Sequence, residues 1–194
     1  MKRTCLRINT NTNENSKHGV PYDLKPKNYL RMKKIGILSD THGFLHRETE
    51  RIFQSCDEIW HAGDFGSIEV VKELQSFKPL RGVYGNIDGA WIREEFKEME
   101  TFSCEAVTVL MKHIGGYPGK YEKSMKDAIM HQSPKLVICG HSHILKVVYD
   151  KHFNHLHINP GAAGRYGFHA TITMIRIAID GTQIKDLEVV EFPK

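Results

Sequence analysis

The chain of 194 residues lacks any long apolar run. None approaches the roughly 20 residues needed to cross a bilayer, so a membrane-spanning helix is excluded from the expectations. The opening Met1-Lys2-Arg3-Thr4-Cys5-Leu6 is basic, but no apolar core comes after it, which argues against a secretory leader. Cysteine is scarce: Cys5, Cys56, Cys104 and Cys139 lie far apart and form no C-x-x-C pair. That spacing argues against a zinc–cysteine site and suits reduced thiols in a cytoplasmic protein. A basic face is missing too. Residues 1–31 carry seven Lys/Arg against two Asp/Glu, +5, while the other 163 carry 20 against 21, −1, so the net +4 belongs to the tail. A nucleic-acid-binding surface on the folded body is therefore not expected. Internal repeats and low-complexity core segments are also wanting.

What is present suits one globular domain with an appendage: 40% hydrophobic and 26% charged residues. In residues 1–31, Asn9, Asn11, Asn13 and Asn15 alternate with polar neighbours, and Pro21 and Pro26 interrupt the stretch up to Arg31. This segment is expected to be a mostly disordered, dispensable extension, with Met32 as a natural start and a basic targeting presequence as the alternative. Residues 32–194 are expected to form a single domain.

From residue 32 the pattern alternates between strand and helix. Strands are expected over 34–39, 58–61 and 80–84, with helices over 48–56 and after Ser67, the second burying Ile68, Val71 and Leu74. This βαβαβ order implies parallel strands covered by helices, an α/β class. Further on, one or two strands are expected over 102–111, a loop over 115–119, a helix over 121–132, and strands over 135–139, 144–149, 152–158, 171–179 and 184–190. Asp180-Gly181 marks a hairpin turn between the final two.

The twelve histidines carry the chemistry. Five expected strands end in polar clusters: Asp40-Thr41-His42, Gly63-Asp64, Gly85-Asn86-Ile87-Asp88, His113 and His141-Ser142-His143. Ligands of open α/β sheets bind beyond the carboxyl ends of strands, so these side chains are expected on one rim. Carboxylate, amide and imidazole donors suit manganese above all, or zinc, iron, cobalt or nickel, better than calcium. Two such ions about 3.5–4 Å apart need a bridging carboxylate, for which Asp64 is the candidate. Asp40, His42 and His143 complete one expected site, and Asn86, His113 and His141 the other.

The ordered set D-x-H, G-D, G-N, H and G-H-x-H resembles the calcineurin-like metallophosphoesterases over most of residues 32–180. Ser39-Asp40-Thr41-His42-Gly43 and Ile158-Asn159-Pro160-Gly161 bring it closest to the small YfcE-like phosphodiesterase branch. The resemblance implies a four-layer α-β-β-α sandwich with mixed sheets, two divalent metals and hydrolysis of a small phosphate ester. Small relatives often self-associate, so a homo-oligomer is open. Where larger relatives place a histidine after the motif Asn, Ile87 stands here, as in the YfcE-like branch; this leaves the general acid unassigned and favours good leaving groups. His113 is followed by Ile114-Gly115-Gly116 rather than directly by glycine. The rival reading is a catalytically silent protein-binding scaffold, similar to the retromer subunit of the same fold.

The expected mechanism is attack on phosphorus by a hydroxide that the two metals generate, with Asp64, Asn86 and His141 as the catalytic residues. Asn86, His46 and Arg165 are the expected substrate contacts, and Asp88 is expected to orient His42 or Asn86. His61 is expected to be packed or hydrogen-bonded at a strand end. His155 and His157 share one face of a strand, expected to be solvated.

Overall fold

The computed structural model describes residues 1–6 and 32–194. A strand β1 (Lys2–Leu6) is followed, after residue 32, by β2 (Lys33–Leu38), α1 (Thr49–Phe53), β3 (Glu58–His61), α2 (Ile68–Phe77), β4 (Leu80–Gly82) and α3 (Ala90–Glu95). The second half runs β5 (Met99–Cys104), β6 (Val107–Lys112), β7 (Gly116–Tyr117), β8 (Lys120–Tyr121), α4 (Lys123–Gln132), β9 (Leu136–Ile138), β10 (Leu145–Asp150), β11 (His155–Pro160), β12 (Thr171–Asp180) and β13 (Gln183–Pro193). One sheet has the order β1-β13-β12-β2-β3-β4 and a second β10-β11-β9-β6-β5; β7 and β8 form a small hairpin.

Strand periodicity builds the layers. Ile35 and Ile37 of β2 and Trp60 of β3 point into a buried cluster with Val109 and Met111 of β6, Ile138 of β9 and Ile158 of β11, so the two sheets face each other. The alternate residues Leu38 and Ile59 face outward, under Ile52 and Phe53 of α1, Val71 and Leu74 of α2 and Ile92 of α3. On the opposite outer face, Leu110 and Val137 are covered by Met125 and Ile129 of α4. The result is the expected α-β-β-α stack. β2, β3 and β4 are mutually parallel, as are β6, β9 and β11, so the carboxyl ends of each set lie together.

Several elements depart from the sequence expectation for local reasons. Ser67 does cap α2, accepting from the Val70 amide at 3.4 Å, but Val70 takes the buried place expected of Ile68. The helix expected from 121 begins at Lys123, because the Glu122 carboxylate accepts from the amides of Ser124 and Met125 and fixes the start. Tyr121 belongs instead to β8, within the stretch expected to be loop and helix. His152 lies in a turn rather than a strand, since Asp150 Oδ1 accepts from the amides of His152 and Phe153. The segment 102–111 is two strands, turned at Glu105 with φ 51°. Within the extension expected to be disordered, Lys2–Leu6 pairs antiparallel with β13 at a sheet edge. The rest of that expectation, from residue 7 to 31, lies outside the described residues.

Candidate metal centre

Each candidate ligand sits just past the end of a strand. Asp40 and His42 follow β2, Asp64 follows β3, Asn86 follows β4, His113 follows β6 at once, and His141 and His143 follow β9. The turns are tight enough to force unusual backbone. Asp40 (φ 55°), His42 (48°), Asp64 (58°), His141 (68°) and His143 (57°) all occupy the left-handed region, which non-glycine residues rarely adopt. Such strain persists only where the surroundings impose it, and five of the nine described non-glycine residues that carry it are candidate ligands. At Gly85 the crowding is direct: a Cβ would run into the Asp64 carboxylate.

The side chains converge in two groups, Asp40 with His42 and His143, and Asp64 with His113 and His141; in each group one donor atom per residue lies within 4.8 Å of the others. The groups abut. His143 Nε2 is 3.2 Å from Asp40 Oδ1, His113 Nε2 is 3.2 Å from Asp64 Oδ2, and His42 Nε2 lies 3.9 Å from Asp40 Oδ1 and 3.7 Å from Asp64 Oδ2. These six are the residues predicted by sequence, apart from Asn86. Asn86 is exposed and lines a cavity of about 400 Å³ beside His113.

Both carboxylates are tethered by one oxygen and aim the other inward. The His141 amide donates to Asp40 Oδ2 at 3.1 Å, and the Ile87 amide donates to Asp64 Oδ1 at 3.1 Å. His113 is oriented in the same way: its Nδ1–H donates to the Ala62 carbonyl at 2.8 Å, which leaves Nε2 as the free donor atom. Asp40 Oδ1 and His113 Nε2 are buried and have no hydrogen-bond partner. Buried polar atoms are rarely left so, and a cation between them would supply the partner each lacks. A mixed oxygen and imidazole set of this kind fits divalent transition metals.

The charges of the cluster shift one another's proton affinities. Burial alone would lower the His113 pKa, but the Asp64 carboxylate 3.2 Å away and the charge of Asp40 raise it overall. Burial would likewise raise Asp64, yet the neighbouring His113 ring holds it below its ordinary value. His42 is pushed down, chiefly by burial, against the pull of Asp64 and Asp40.

Side chains behind the ligands brace the loops. His61 is buried, stacked on Phe65 at 3.7 Å, with its pKa driven well down by burial. Its Nδ1 accepts from the Gly63 amide, so Nε2–H donates to Thr41 Oγ1 at 2.9 Å, joining the Asp40 and Asp64 turns. This is the packed, hydrogen-bonded role expected of it. Asp88 does not reach His42 or Asn86 as expected. Its carboxylate accepts from the amides of Asp64, Gly66 and Gly85 at 3.0, 2.9 and 2.8 Å, because the turn after β4 folds back on the turn after β3.

Other sequence candidates are engaged elsewhere. His46 stacks on Phe192 with 4.1 Å between ring centres, and Arg165 is exposed with its guanidinium 4.3 Å above the Phe44 ring. His155 and His157 do not form a solvated face: both are fully buried, with the Tyr121 hydroxyl 2.8 Å from His155 Nε2 and 3.4 Å from His157 Nδ1. The sheet face they occupy is covered by Tyr121 and Phe153, a packing invisible in local sequence. Arg93 carries no sequence signal of its role. Its guanidinium donates to the carbonyls of Gly85, Asn86 and Asp88 and lies 4.4 Å over the Tyr84 ring, pinning the loop that carries Asn86. No motif marks it. His169, whose ring centre is 5.3 Å from that of His143, is likewise absent from the sequence-derived set.

Known proteins share this fold. The model of the calcineurin-like phosphoesterase superfamily domain matches residues 32–182. A probable metallophosphoesterase of Methanothermobacter thermautotrophicus is 29% identical over 115 residues, 56% of this chain and 66% of that protein, so the match spans a little under two thirds of the relative. Among solved structures, Vacuolar Protein Sorting 29 from Cryptosporidium parvum superposes with a TM-score of 0.66 at 18% identity, over 84% of this chain and 99% of the other. A novel archaeal phosphodiesterase gives a TM-score of 0.62 at 23% identity, over 82% and 99%. At such identities these structures establish shared fold alone. The family model covers most of the chain, its strands and loops carry the converging ligand set, and the protein belongs to the calcineurin-like phosphoesterase superfamily.

Proposed function

We propose that the protein is a metal-dependent phosphodiesterase acting on small phosphate esters. The reading rests on Asp40 Oδ1 and His113 Nε2, buried and unpartnered at the centre of six converging donors. Asp40, His42 and His143 would hold one divalent ion and Asp64, His113 and His141 the other, with Asp64 Oδ2 turned toward both groups. Manganese suits these donors, with zinc, iron, cobalt or nickel as alternatives. Bound there, the ions supply Lewis acidity that brings the pKa of water near neutrality and offsets charge on phosphoryl oxygens.

The chain's own residues supply placement. The backbone tethers on Asp40 and Asp64 hold both carboxylates in position before substrate arrives. Asn86, exposed at the rim, offers its amide N–H groups to a phosphoryl oxygen or its carbonyl to an ion. His141, the exposed member of its group, faces incoming substrate. Ile87 has no ionisable proton to give, so the reading favours esters whose leaving group departs without an acid. The buried, free thiols of Cys56, Cys104 and Cys139 are at home in the reducing cytoplasm. A silent scaffold shares this fold, but such a role does not require strained turns under five of the six donors that meet at a common centre.

The test is manganese-supported hydrolysis of bis(p-nitrophenyl) phosphate. Asp64→Ala is expected to abolish both turnover and metal binding, while His131→Ala, on the exposed side of α4, keeps both. Turnover surviving in the Asp64 variant would sink the assignment. Absence of hydrolysis with all five metals would favour the scaffold.

A further inference from the structure

A second cavity, of about 340 Å³, opens on the other flank of the centre, beside His141. Ile114 borders both cavities and separates them. The second is walled by Ile114, Ile144 and Tyr117 and closed by Lys146 and His157. In register, Lys146 pairs with Asn159 and Val148 with His157, so Lys146 and His157 share one face of the β10–β11 ladder. Lys146 Nζ lies 4.2 Å over the Tyr117 ring and forms no ion pair among the described residues.

His157 is the unusual member. It is fully buried, and its Nε2 has no hydrogen-bond partner. Its hydrogen-bonding sense is set by its neighbours. The Tyr121 phenol has one proton to give, and His155 Nε2 at 2.8 Å or the neighbouring Asp150 carboxylate takes it in preference to the longer His157 contact. The phenolic oxygen then accepts from His157 Nδ1–H at 3.4 Å, and His157 Nε2 is left with a lone pair. Burial pushes the pKa of His157 down to about 4, so the ring is neutral near pH 7.

We propose that this cavity is the subsite for the organic group of the phosphoester, and that it takes an aromatic ring bearing an N–H or O–H on its far edge. This rests on the phosphodiesterase reading of the neighbouring centre. The apolar walls suit the ring faces, the Lys146 ammonium suits a π face, and the neutral lone pair of His157 requires a donor. A plain alkyl group would leave that lone pair desolvated and unpaired. The volume falls within the range of small-molecule sites, roughly 300–1,000 Å³. Nucleobases and amino- or hydroxyaryl groups share the required chemistry.

Calorimetry on the manganese-loaded full chain tests this with methylphosphonate, phenylphosphonate and 4-aminophenylphosphonate, none of which can be hydrolysed. Affinity is expected to rise in that order, by about tenfold for the ring and about three- to tenfold for the amine. Ile144→Trp, at an exposed wall position, is expected to cut the phenyl-to-methyl ratio about tenfold by filling the cavity. His157→Phe is expected to erase the amino-to-phenyl ratio and keep the phenyl-to-methyl ratio. The phosphonate analogue of adenosine 5′-monophosphate separates the two sources: tighter binding than the aminoaryl probe assigns a nucleobase, weaker binding a simple aryl group. Equal affinity of the first three probes for the wild type, or ratios unmoved in both variants, would overturn the subsite alone. Failure of methylphosphonate itself to bind would overturn the phosphoester reading beneath it.

Discussion

Asp88 shows how much of this centre is backbone engineering. Its two oxygens accept three amides from two different turns, so one side chain fixes both the approach of Asp64 and the loop of Asn86. Removing it leaves buried N–H groups unpaired, each costing about 1–3 kcal/mol. Asp88→Ala is therefore expected to weaken manganese binding about 10- to 100-fold, as loss of a group that holds a ligand in place does, with a lowered melting temperature. Titration calorimetry beside thermal melts checks both. Unchanged metal affinity would mean that the Asp64 turn holds its shape without this brace.

At the scale of the element, β11 and the edge strand β1 make opposite claims. In β11, His157 takes up a proton near 6.5 when unfolded but only near pH 4 when folded. Between those values the unfolded state binds more protons, so stability is full above 6.5 and lost as pH falls toward 4, by roughly 3 kcal/mol in all. Burial lowers His155 in the same direction. Urea denaturation across pH 4–7 is expected to show a steep loss of stability that is shallower in His157→Phe; parallel curves for the two proteins would refute the role of His157. β1 lies at the edge of its sheet, three strands from β2, the nearest strand carrying ligands. Deleting residues 1–31 is expected to lower the melting temperature by a few degrees and leave manganese affinity within about twofold. It also bares the edge of the 11-residue strand β13, so more self-association is expected in size-exclusion chromatography.

Across the whole molecule, the centre ties the two sheets together. Asp40, His42 and Asp64 come from one sheet and His113, His141 and His143 from the other. A cation bound among them would link the layers and favour the folded state. Manganese at 100 times its dissociation constant is expected to stabilise the protein by about 2.7 kcal/mol per site, and a chelator to reverse this. Thermal melts with and without chelator measure the effect. A melting temperature indifferent to metal would argue that the six donors do not act as a site.

The sequence alone determined much of this. Strand-ending glycines and the spacings of Asp40-x-His42, Gly63-Asp64 and His141-x-His143 pick out donors that converge in the fold, because a local turn both exposes a donor and leaves its residue types in plain view. The βαβαβ alternation from Lys33 to Gly82 was equally legible, since burial on both faces writes its periodicity into neighbouring residues. Contacts distant in the chain were decided only by the tertiary structure. Asp88 meets Asp64 across 24 residues, Tyr121 covers His155 and His157 across more than 30, and Arg93 reaches carbonyls rather than any side chain a motif could record. Local patterns encode which face of an element is apolar. Which partner arrives to cover it depends on how the sheets stack, and that stacking turned an expected wet strand face into the buried wall of a cavity.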